Sequence, residues 1–183
     1  MEYSHTASIP GSGLRVSRPV GLAGRHEQAF ERLRGVFDIS RTYWVSHLYL
    51  AECHAARDQW DAAREAAEEA YRLAPWNART HGMLAATLMR TGAAGRAREL
   101  TAGLETSVQQ HWAPEGMVLY HLLMKDVDGA AAWYHRAIDQ RDIWVLVQAR
   151  GWLTRELRAS TQGPVILKRL NLDSSERRGR ASE

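Results

Sequence analysis

The stretch DAAREAAEEAYRLAPWN, residues 61–77, decides the fold. Ala63, Ala67 and Ala70 stand at i, i+4 and i+7, so they share one stripe of a helix. A stripe of methyl groups lets a neighbouring backbone come close, where leucine would hold it off. The opposite side carries Asp61, Arg64, Glu65, Glu68 and Arg72. Arg64–Glu68 and Glu68–Arg72 are spaced as i,i+4 ion pairs, each contributing about 0.2–0.5 kcal/mol. Pro75 ends the helix, because it lacks an N–H and clashes with the preceding turn. The alanines are therefore expected to be small because other helices stack on them.

The pattern recurs along the chain. Ala63 lies 34 residues after Ala29 and 34 before Ala97, and Ala97 lies 33 before Ala130. Seven residues beyond each come Val36, Ala70, Leu104 and Ala137, all apolar. Upstream, Leu50 and Ala51 recur as Leu84 and Ala85, then as Met117 and Val118. Gly24, Asp58 and Gly92 occupy equivalent turns, where Gly, and less often Asp, tolerates a left-handed backbone. A fixed period of this length is the signature of a helical repeat. Helical signals dominate from His26 to about Leu172, and the short apolar run IWVLVQA at 143–149 is read as a buried helix. Gly163-Pro164 is expected to interrupt the pattern. Residues 1–23 are rich in Pro, Gly and Ser and read as irregular, and the charged end, 173–183, reads as a disordered tail.

Composition bounds the rest. With 183 residues, 45% of them hydrophobic and 25% charged, the chain suits one soluble domain with a real core. The single cysteine, Cys53, excludes an intrachain disulfide and fits a reducing compartment. No window has the roughly 18 consecutive apolar residues of a membrane span, and the start lacks a secretory signal. A cytoplasmic protein that does not enter membranes is expected.

The repeating residues resemble those of the tetratricopeptide repeat family, whose unit has about 34 residues. Residues 44–77 supply Leu50, Ala51, Ala63, Ala70 and Pro75 in the family's phase. Residues 78–110 follow through Leu84, Ala85, Gly92 and Ala97 but lack the closing Pro. Residues 111–143 follow through Met117, Ala130, Tyr134 and Ala137, and residues 24–41 resemble only the second helix of a unit. The segments AAAWYHRAIDQRDIWVLV and VILKRLNL look like the end of the tetratricopeptide regions of bacterial transcriptional regulators and protein kinases. They lack that segment's Asp-Pro-Arg-Phe motifs, and residues 1–23 are not expected to hold the DNA-binding or kinase domain that usually precedes such repeats. The resemblance implies an all-α fold: a tetratricopeptide-type α-solenoid over 24–172, closed by a capping segment at 144–172.

It also implies a concave groove lined by the first helix of each unit. Carried over position by position, the groove takes Val45, Leu48, Glu52, Ala55 and Ala56 from the first unit. The second gives Arg79, Gly82, Ala86, Met89 and Arg90, and the third Trp112, Glu115, Leu119, Leu122 and Leu123. The partner-binding set is expected to be Val45, Leu48, Glu52, Arg79, Met89, Arg90, Trp112, Glu115 and Leu119. This mixture lacks the Lys and Asn of the family's carboxylate clamp and suits an apolar peptide or amphipathic helix. A competing occupant is the chain's own closing segment with Trp152, Leu153 and Leu157. The apolar stripe Phe30, Leu33, Val36 and Phe37 has no partner helix, so this N-terminal edge is expected to dock a second protomer, an upstream domain or the N-terminal segment itself.

Other chemistries fare worse. His47, His54, His81, His111 and His121 fall where large residues pack between helices, and no close pair of metal-ligand spacing supports a zinc site. Cys53 and His54 are helix neighbours about 100° apart, a poor nucleophile–base pair. Nucleophile elbow, phosphate loop and clustered catalytic carboxylates are all missing, so the chain is read as non-catalytic, with no cofactor and no metal. Net charge is +3, and most arginines are interspersed with acids, which disfavours nucleic acid as a partner. The sequence thus points to a protein-interaction scaffold. A regulatory module working with a bacterial transcription regulator or kinase ranks second, and an arginine-driven nucleic-acid binder third.

Overall fold

A computed structural model describes residues 43–106, 113–143, 149, 151 and 153–172. Expectations for the N-terminal segment, the half-unit 24–41, Trp112, most of 143–149 and the tail 173–183 lie outside these residues. The described residues form eight helices and no strand: α1 Trp44–Ala55, α2 Trp60–Leu73, α3 Ala78–Arg90, α4 Ala94–Thr106, α5 Ala113–Leu123, α6 Val127–Asp139, α7 Arg155–Ala159 and α8 Gln162–Arg169. The all-α expectation holds for them.

Short connections turn α2 back on α1, α4 on α3 and α6 on α5, giving three helix pairs. Between pairs, α3 packs on both α2 and α5, and α3 on α5 is the most extensive of these contacts. The quoted stretch behaves as its spacing demands: Ala63, Ala67 and Ala70 are fully buried, in a core with Leu48, Met83, Leu84, Leu88 and Leu119. Its charged side pairs differently from expectation. Arg64 reaches Glu68 at 3.9 Å, but Arg72 closes on Glu69 at 2.6 Å. Glu68 instead accepts two hydrogen bonds, of 2.5 and 2.9 Å, from Arg96 of α4. A carboxylate read as local to one helix thus links two pairs, because a planar guanidinium on the next pair matches it with both oxygens.

Several helix ends share one geometry. Asp58, Gly92, Lys125, Arg141 and Asn171 all have a left-handed backbone, with φ between 55° and 87°. In each case the next residue's N–H donates five residues back, as Gln59 does to His54 O (3.0 Å) and Asp126 to His121 O (2.9 Å). This is the Schellman geometry, which satisfies the last carbonyls of a helix. Asp58 and Gly92 were legible as such turns; Lys125 and Arg141 were not, because their side chains give no such signal. At Gly92 a methyl group would meet nothing within 4 Å, so any cost of adding it is a backbone cost. Gly92→Ala is expected to lower stability by about 1 kcal/mol, measured by urea denaturation.

Gly163-Pro164 does not interrupt a helix but starts one. Both sit in the first turn of α8, where proline's missing N–H has no intrahelical acceptor to lose. The closing segment packs through Leu157 and Ile166 onto Val118, Ala131, Tyr134 and Ala137 of α5 and α6. Arg169 ties α8 to Asp139 of α6 at 2.5 Å. Further in, Leu153 lies against the main core that contains Leu119 and Leu123.

Candidate functional site

The first helices α1, α3 and α5 bring three of the expected groove residues together. Glu52 comes from the last turn of α1, Arg79 from the first turn of α3 and Glu115 from the first turn of α5. Asn77 caps α3 by accepting from the Arg79 N–H at 3.0 Å, which fixes where the arginine leaves the helix. Glu115 suits its place, since the positive end of a helix dipole favours an anion. Arg79 does not, and its partners must hold it there. Its Nη2 donates to Glu52 Oε1 at 2.5 Å, its Nε lies 3.3 Å from Glu115 Oε1, and its guanidinium stands 5.8 Å from the Tyr49 ring centre.

The cluster is inside the protein. Glu52, Arg79 and Glu115 keep only 4%, 6% and 7% of their surface exposed. Burial pushes Glu52 upward from its ordinary value despite the pull of Arg79. Glu115 rises to about 8, chiefly through burial, with Arg79 opposing and Asp142 and Glu52 adding to the rise. Arg79 is drawn down by burial, but Glu52 and Glu115 outweigh this and raise it. Glu115 Oε1 receives no hydrogen bond, although Arg79 lies near it.

The other expected groove residues scatter. Leu48 and Leu119 are core residues, as are Ala55, Ala86 and Leu123. Gly82 is a helix-crossing residue: a Cβ there would overlap the Gly116 carbonyl oxygen and stand 2.7 Å from its carbon. Val45 and Met89 are half-buried. Arg90 is exposed but turns back over the Trp60 ring, 4.4 Å from its centre, with Asp58 at 3.9 Å. Every residue of 78–88 except His81, and every residue of 113–119, is buried. Most of α3 and the first two turns of α5 are thus covered within the chain itself.

Sequence reasoning missed the exposed aromatics. Trp76 is 66% exposed, Tyr43 and Tyr49 are exposed as well, and Trp44 meets Trp76 edge to face at 5.7 Å. A tryptophan directly after the helix-ending Pro75 was the available signal. The histidines close turns: His54 Nδ1 lies 2.8 Å from Gln59 Oε1, and His121 Nδ1 lies 2.8 Å from Asp126 Oδ2, the same i,i+5 link in two pairs. Among the described residues no three of His, Cys, Asp and Glu gather to hold a metal ion. Burial and Glu52 push the Cys53 thiol upward, away from the nucleophilic thiolate. No helix of the described residues is long and apolar enough to cross a membrane.

Comparison with protein-family models, curated proteins and solved structures gives no match.

Proposed function

We propose that the chain is a non-catalytic protein-interaction module of the tetratricopeptide type, holding a peptide or helical segment of another protein against its first helices. The meeting of Glu52, Arg79 and Glu115 carries this reading. Residues taken from groove positions of three successive units converge on one point, as they should if α1, α3 and α5 share an inner face. Since the centre of that face is closed, the partner is expected along its margins, where Val45 and Met89 are half-buried and Arg90 and Tyr49 are exposed. Aromatic and arginine side chains of this kind commonly carry binding energy.

Selection of ligands from a displayed peptide library tests the reading. A micromolar or tighter peptide should bind about tenfold or more weakly to the double variant Met89→Glu/Arg90→Glu, measured at a temperature where circular dichroism shows the variant folded. Its affinity should change little between low and moderate salt, whereas a nucleic-acid ligand would lose on the order of 1,000-fold or more. Failure to select any peptide, or equal binding by the variant, would sink the proposal.

A further inference from the structure

We propose that the Glu52–Arg79–Glu115 cluster is a proton-binding site built into the joint between helix pairs: the chain folds with a carboxyl proton held between α1, α3 and α5, and is weakened as that proton leaves. The argument begins with a count of charges. The groups acting on the cluster are Tyr49 and Glu52 from α1, Arg79 from α3, Glu115 from α5 and Asp142 just after α6. One guanidinium is therefore shared by two glutamates that are more than nine-tenths buried, and Asp142 acts on Glu115 besides. An uncompensated charge in such a place is strongly unfavourable, and the group neutralises instead.

Geometry says where the proton goes. Arg79 makes its short hydrogen bond to Glu52, so Glu52 is the carboxylate it neutralises. Glu115 is left with an oxygen that no hydrogen bond reaches, in reach of two further negative groups. A neutral carboxyl at Glu115 removes the repulsion and gains a donor. The site lies where α3 meets α5, the most extensive contact between pairs, so its protonation state bears on how firmly the third pair is held.

The direction of the pH dependence follows. Glu115 titrates near 4.5 when unfolded and about 8 when folded, so between these values the folded chain binds the extra proton. Its contribution to stability is complete below the lower value and is lost as pH rises through the upper one. Urea unfolding of the full chain between pH 5 and 9, for wild type and Glu115→Gln, reads this out. The amide mimics the neutral acid, so the ratio of the two unfolding constants should grow by about tenfold per pH unit up to pH 8 and then level off. A ratio that stays constant with pH overturns the proposal. The wild-type chain gives a second readout that needs no variant: the Glu115 side-chain carboxyl carbon, followed by NMR, should titrate near 8. A midpoint below 5 would overturn it equally. Asp142→Asn, which removes one of the negative groups, should shift that midpoint downward; an unchanged midpoint would remove Asp142 from the site.

Discussion

Gly116→Ala is expected to lower stability by about 3 kcal/mol or more, or to prevent folding, although it adds one methyl group. A Cβ at Gly116 would overlap the Ala78 carbonyl oxygen, stand 2.8 Å from its carbon and lie 3.0 Å from Leu104 Cδ1. At Gly82 the reciprocal overlap is with the Gly116 carbonyl. Both obstacles are backbone, so no rotamer change relieves them, and α3 and α5 must move apart along the main contact between pairs. Gly82→Ala should be about as damaging, and the double variant less damaging than the sum, because both act on one contact. Gly103→Ala is the control: it lies in α4 with nothing within 4 Å, and should stabilise by about 0.5–1 kcal/mol through helix propensity. Urea denaturation followed by circular dichroism distinguishes these results. A Gly116→Ala protein within about 1 kcal/mol of wild type would show that the helices yield easily.

Arg79→Met is expected to remove about 3–5 kcal/mol near neutral pH, since it leaves two buried carboxyl groups without their cation. Arg79 holds both glutamates below where burial alone would put them, so its loss raises both further. A carboxyl group whose folded value is raised contributes stability that is complete below its unfolded value and is lost as pH rises. The deficit of the variant should therefore narrow as pH falls toward about 4.5 and widen above it. The triple variant Glu52→Gln/Arg79→Met/Glu115→Gln carries no buried charge at these positions and should recover most of the loss. Urea denaturation at several pH values measures all three proteins. A deficit that does not change with pH would mean that Arg79 acts by packing alone.

The helices were legible because their signals are local. The Ala63–Ala67–Ala70 stripe, the stop at Pro75 and the turns at Asp58 and Gly92 each depend on a few neighbouring residues, and all appear where the sequence places them. The candidate site was legible only in part. Glu52, Arg79 and Glu115 could be named from their places in the expected repeat, but each was read as a groove-facing anchor rather than as a partner of the others. Arg90 shows the same limit: its position was expected to face a groove, yet its long side chain turns toward Trp60 and Asp58.

The sequence by itself determined the all-helical character of the described residues, the positions of the paired helices and the alanine seams on which they stack. These follow from periods of three to four residues and from residues that cannot continue a helix. Only the tertiary structure decided that α3 and α5 touch backbone to backbone at Gly82 and Gly116, that Glu68 bridges to Arg96, and that Arg79 is shared between two buried glutamates. Each of these joins residues about 27 to 36 positions apart, and no local pattern records how close two helices come. The distance between α3 and α5 is set by which side chains are absent from their crossing. The ionisation of Glu115 is set chiefly by how deeply that crossing buries it beside a single arginine.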